Sequence, residues 1–146
     1  MSPRQIDWRT VHAKLRRMTA LTDQLAGLGE VHRARLVAEP LTALAVERIL
    51  TLLVDLAFAV NSHVAVGRLG RAPDSYADSF TLAAETGMID EVLAAALRPS
   101  VGMRNVLVHA YLTVDQQLVA DAVPLAVEQY GSYVRQVAGF LEQHAD

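Results

Sequence analysis

Cysteine is absent from the 146-residue chain, which excludes disulfide scaffolds, zinc ribbons, iron–sulfur sites and thiol catalysis together. Aromatic residues make up 5% and charged residues 20%, against 52% hydrophobic. That balance excludes a disordered chain and fits a globular domain that buries roughly two thirds of its unfolded surface. A long apolar run is missing as well. The richest stretch, Ile49 to Val60, is interrupted by Asp55 and is too short to span a bilayer. The start, Met1-Ser2-Pro3-Arg4-Gln5-Ile6-Asp7, is polar and lacks the apolar centre of a secretory signal. A cytoplasmic location without membrane association is therefore expected. An excess of positive charge is also lacking. The net charge of −3 argues against affinity built on a broad basic surface. The distribution is uneven, however: residues 1–36 hold seven basic side chains against three acidic ones, a net +4, so the remainder carries −7. A solvated helix face is the expected role of those basic residues, with a local phosphate contact as the alternative.

What the chain does have is apolar residues recurring three and four apart along nearly its whole length, which predicts an all-α fold in one domain over residues 1–146. A first helix is expected from Trp8 to Leu28, with Val11, Leu15, Met18, Leu21 or Thr22, and Leu25 on one stripe and Gly27 and Gly29 closing it. The second is strongest from Pro40. It carries an apolar stripe of Leu41, Leu44, Ala45, Ile49, Leu52, Leu53, Leu56, Val60 and Val64, and a polar stripe of Glu47, Thr51 and Asp55. Residues 67–75, rich in glycine, proline and short polar side chains, read as a loop. A short helix is expected from Tyr76 to Glu85, ended by Gly87, and Asp90 and Glu91 favour the next start. Pro99 and Gly102 are expected to break or bend that helix before Met103, and a last helix to run from about Asp115 to Gln143 with Pro124 in its first turn.

The segment Arg104-Asn105-Val106-Leu107-Val108-His109-Ala110-Tyr111 crowds an arginine, an amide, a histidine and a tyrosine into eight residues. With five histidines in the chain, chance supplies about 0.4 matches to the Arg-to-His spacing, and requiring tyrosine two residues later lowers this to about 0.01. The other histidines, His12, His32, His63 and His144, are dispersed. On a helix, Asn105 and His109 share one stripe and Arg104 and Tyr111 another, about 120° away. One helix alone does not place Arg104 beside His109, but the long guanidinium stem can reach around, and a second copy across a symmetric interface could complete a site. The residue types suit phosphodiester cleavage. Histidine can take a proton from a ribose 2′-hydroxyl near neutrality, and arginine offers paired donors to phosphate oxygens as charge accumulates. That chemistry needs no metal and no cofactor. The plainer alternative is that Val106, Leu107 and Val108 pack the core while the polar residues cover the helix surface.

With Arg104, Asn105, His109 and Tyr111 in place, the sequence resembles the HEPN superfamily, and within it the HepT-like toxins paired with MNT-type nucleotidyltransferase antitoxins. The resemblance runs from about Leu44 to Val119 and includes Ala45-Val46-Glu47-Arg48 and Val54-Asp55, Pro73-Asp74-Ser75-Tyr76, and the motif itself. Residues 33–40 depart from the pattern.

This resemblance implies an up-and-down bundle of about five helices that forms a homodimer, with the motif helices of both copies lining a cleft. It implies metal-independent ribonuclease activity on RNA, tRNA in particular, that leaves a cyclic phosphate if the 2′-hydroxyl attacks. By position, Arg104 and His109 are the catalytic pair and Asn105 orients them. Asp55 and Glu47 are supporting candidates whose stripe could face the cleft. Tyr111 corresponds to the acceptor to which the partner nucleotidyltransferase attaches adenylate. A competing reading from another class is a non-catalytic helical module that uses the same cleft to hold a nucleotide or the partner enzyme.

Overall fold

The computed structural model describes residues 5–110 and 112–144. Among them are six helices: α1 (Trp8–Gly27), α2 (Arg33–Ala38), α3 (Pro40–Leu69), α4 (Tyr76–Glu85), α5 (Glu91–His109) and α6 (Gln116–His144). No helix among the described residues is long and apolar enough to cross a membrane.

The first helix forms as its sequence dictates. The Asp7 carboxylate accepts from the Arg9 and Thr10 backbone N–H groups at its start, and Val11, Leu15, Met18, Leu21, Thr22 and Leu25 are buried. Leu28 caps its end, and Gly29 takes the left-handed conformation at φ +73° that a Cβ would strain. One helix beyond the expected five, α2, is the element that periodicity does not reveal. It has only six residues, is capped by His32, whose Nδ1 accepts from Arg35 N at 3.2 Å, and buries only Leu36. Glu39 separates it from α3, whose first residue, Pro40, needs no N–H partner.

In α3 the expected apolar stripe is rotated. Leu41 and Leu44 are 82% and 61% exposed, Ala45 is exposed, and Ile49, Leu52 and Leu56 are half-buried. The buried positions are Ala43, Val46, Leu50, Thr51, Leu53, Val54, Ala57, Val60, Asn61, Val64 and Ala65. The reason is that α3 packs against all five other helices. A helix that is apolar nearly all round has no single stripe to identify from sequence.

Pro99 does not break α5, and Pro124 sits in the interior of α6, not in its first turn. Both prolines are exposed, so water can serve the carbonyl left without an N–H.

The buried core is one cluster drawing on all six helices. Trp8 meets the Phe140 ring edge-on, and Arg68 lies over the same ring at 5.3 Å. The start of α1 and the ends of α3 and α6 therefore lie together. Asp90 N donates to Gln136 Oε1 at 2.8 Å, and the Ser100 and Tyr130 hydroxyls are 2.6 Å apart. As the α5 number rises the α6 number falls, so the two helices are antiparallel. The motif end of α5 thus emerges at the opposite end of the bundle from Trp8.

Candidate active site

α5 starts at Asp90, whose carboxylate accepts from Leu93 N, and buries Leu93, Ala94, Leu97 and Val101. From Gly102 to His109 no residue is fully buried. Leu107 packs on the core, but Val106 is 50% and Val108 38% exposed. The packing alternative raised for residues 106–108 therefore holds for Leu107 alone.

Among the described motif side chains, Arg104 is the most constrained. Its Nε donates to Asp55 Oδ1 at 3.0 Å, Nη2 lies 3.4 Å from the Tyr76 hydroxyl, and Nη1 lies 3.4 Å from Asn105 Oδ1. The first contact is a well-formed ion pair across α3 and α5. The other two are long for N–H···O bonds, so both Nη groups keep donor capacity. The guanidinium carbon also sits 4.7 Å from the Tyr76 ring centroid, within cation–π range.

Burial, chiefly, and then the negative charge of Asp55 push the Tyr76 hydroxyl above its usual ionisation range, with Arg104 opposing. Tyr76 therefore faces Arg104 as a neutral phenol.

The structure brings Arg104, Asn105 and Asp55 together. His109 is exposed, at the last position of α5, about 7.5 Å further along the axis than Arg104 at the usual helical rise. The hydrogen bonds of Arg104 do not run to it. Glu47 lies two turns before Asp55 on α3; its backbone carbonyl accepts the Thr51 hydroxyl at 3.0 Å, and its side chain is not among the partners of Arg104. Tyr111 lies outside the described residues.

Two residues at the site had no role assigned from sequence. Phe58 follows Asp55 by three positions and so shares its helix face, a spacing that was legible. Tyr76 belongs to a different element, and nothing local links it to Arg104.

Comparison with known proteins adds an independent line. The family model described as Ribonuclease HepT-like matches residues 11–137. The chain is 34% identical over 97 residues to a tRNA nuclease HepT from Aphanizomenon flos-aquae, covering 65% of each protein; it thus spans just under two thirds of that relative's length. It is 26% identical over 122 residues to an mRNA nuclease HepT from Shewanella oneidensis, covering 84% of this chain and 89% of the other.

Two solved structures share the fold. The Bacillus subtilis cytosolic protein of unknown function YutE superposes with a TM-score of 0.82 at 17% identity, over 96% of this chain and 94% of that one. A tri-AMPylated Shewanella oneidensis HEPN toxin in complex with its MNT antitoxin superposes with a TM-score of 0.72 at 22% identity, over 93% and 98%.

Proposed function

The chain belongs to the HepT-like ribonuclease family, and from that premise we propose that it is a metal-independent endoribonuclease whose catalytic pair is Arg104 and His109. The observation that carries the reading is the state of Arg104. A single carboxylate at 3.0 Å fixes Nε and leaves the Nη donors able to meet two phosphate oxygens, the paired geometry in which arginine is strongest. His109 is exposed at the helix end, where substrate can reach it.

In the reaction, His109 takes the proton of a ribose 2′-hydroxyl, and the freed oxygen attacks the adjacent phosphorus. The bond from phosphorus to the 5′ oxygen breaks, and that oxygen takes a proton as it leaves. The products are a 2′,3′-cyclic phosphate and a 5′-hydroxyl. Arg104 stabilises the charge that accumulates on the phosphate oxygens, and Asn105 helps orient the pair.

The names of the relatives support RNA as substrate, a tRNA in one and an mRNA in the other. The same reading includes a homodimer. The last two turns of α5 leave Val106 and Val108 uncovered, and a second copy packed there brings two motif helices to one cleft.

The partner is an MNT-type nucleotidyltransferase that neutralises the chain by adenylylating Tyr111, a reading supported by the AMPylated state of the Shewanella toxin seen with its antitoxin. An added adenylate fills the space that RNA must enter, and its phosphate competes for Arg104.

The test is RNA cleavage by purified His109→Ala and Arg104→Ala. A general base contributes about 10² to 10⁴-fold, and loss of charge stabilisation at the phosphate is of similar size, so neither variant is expected to cleave detectably. Full activity in both would overturn the assignment.

A further inference from the structure

We propose that Phe58 and Tyr76 form an aromatic shelf that holds the Arg104 guanidinium in place for phosphate, which makes Tyr76 a positioning residue for cleavage. The inference rests on the reading that Arg104 is catalytic.

The Phe58 and Tyr76 rings are parallel, with centroids 4.0 Å apart and planes inclined by 9°. A ring stacked that closely covers one face of Tyr76, so the guanidinium, 4.7 Å from the Tyr76 centroid, takes the other. With both faces occupied, Tyr76 is not a platform for an RNA base.

The shelf is held from three directions. Phe58 stands one turn beyond Asp55 on α3, so a single helix supplies both the carboxylate that fixes Nε and the ring that backs Tyr76. Tyr76 opens α4, where the Ser75 hydroxyl accepts from Asp78 N at 3.0 Å and the Asp78 carboxylate accepts from Asp74 N at 2.9 Å. Its carbonyl accepts the Ser79 hydroxyl at 2.6 Å; Asn61 Nδ2 donates to that hydroxyl at 3.2 Å, and Tyr133 donates to Asn61 Oδ1 at 2.6 Å. Asn61, Ser79 and Tyr133 are all fully buried, so the backbone of Tyr76 hangs from a polar chain that reaches α6.

An aromatic face suits this task better than a second carboxylate would. A carboxylate at that position would occupy the Nη donors the phosphate requires, whereas a ring attracts the cation through its quadrupole and leaves those donors free. Burial and Asp55 keep the phenol neutral, so no second negative charge competes with substrate.

The experiment compares Tyr76→Phe, which keeps the ring, with Tyr76→Leu, which keeps apolar bulk without a face; Phe58→Leu serves as a second disruption of the shelf. Variants are read only where helix content matches the parent. Because a small misplacement of a catalytic group can cost as much as about 10²-fold, kcat for RNA cleavage by Tyr76→Leu and Phe58→Leu is expected to fall about 10 to 100-fold. KM should change less than about threefold, and Tyr76→Phe should stay within about threefold of the parent.

A second readout needs no activity. The Arg104 Nε–H resonance, assigned by its disappearance in Arg104→Lys, should carry a ring-current shift that Tyr76→Phe keeps and Tyr76→Leu loses. An inactive Arg104→Ala beside a Tyr76→Leu of parental kcat would overturn the shelf and leave the catalytic reading standing. A fully active Arg104→Ala would overturn the catalytic reading; in that case, an Nε–H shift unchanged in Tyr76→Leu would overturn the shelf as well.

Discussion

At the residue scale, what could be read in advance depended on whether chemistry and neighbours lay close in sequence. Arg104, Asn105 and His109 stood out as candidates because they form one contiguous run, and Asp55 because its polar stripe could face the cleft and find a partner there. The partner proved to be Arg104. Glu47 carried the same signal and lies two turns short of the guanidinium. The Phe58–Tyr76 stack and the chain from Tyr133 through Asn61 to Ser79 were invisible, because each link crosses between helices distant in sequence. Tyr130 and Tyr133 drew no reading from the sequence, and both are fully buried, with their hydroxyls spent on Ser100 and Asn61.

Burial raises the ionisation of both hydroxyls above the usual tyrosine range, and this has a pH consequence. The unfolded chain loses these protons near the ordinary value of about 10, whereas the folded chain keeps them. The folded state therefore binds more protons above that point, and its stability, intact below about pH 10, falls as pH rises further. In an alkaline titration, part of the tyrosinate absorbance is expected to emerge only together with loss of the far-ultraviolet helix signal. Ionisation of all four tyrosines with the helix signal unchanged would contradict the buried network.

At the scale of elements, α1 and α4 follow directly from caps and stripes, and their bounds match the periodicity and the flanking turn residues. α2 escaped because six residues are too few to show a period, and its one buried anchor, Leu36, does not stand out. The α3 face was misread because a central helix is apolar on several sides; Leu41 and Leu44 are as hydrophobic as Leu50 and Leu53, and only neighbours distinguish them. Pro99 and Pro124 were given too much weight: both lie exposed inside continuous helices, where water can serve the carbonyl left without an N–H and long helices absorb a proline by local bending.

The last two turns of α5 give an element-scale prediction. Val106 is half exposed beside Arg104 and Asn105, while Val92, 81% exposed, stands fourteen residues earlier, about 21 Å along the same helix. Light scattering at micromolar concentration is expected to show a dimer for the parent and for Val92→Glu. Val106→Glu should be a monomer of unchanged helix content with reduced cleavage. A monomeric parent that cleaves RNA fully would contradict the shared cleft.

At the scale of the whole molecule, the directions of the helices place the proposed site toward one end. The start of α1 meets the ends of α3 and α6 around Phe140, and α5 runs against α6, so the motif emerges at the other end beside the starts of α3 and α6. Exposed Leu41, Leu44, Val106, Val108, Leu112 and Leu118 belong to those same termini. An all-helical class was readable from periodicity, but the end of the bundle at which the motif emerges required the packing directions.

The central chemical claim is that a histidine and an arginine cleave RNA through its own 2′-hydroxyl. The direct measurement is the identity of the ends produced when purified protein acts on RNA in excess EDTA. The expected products carry 2′,3′-cyclic phosphate and 5′-hydroxyl ends and are missing with His109→Ala. Cleavage that stops in EDTA, returns with magnesium and leaves 3′-hydroxyl and 5′-phosphate ends would contradict it.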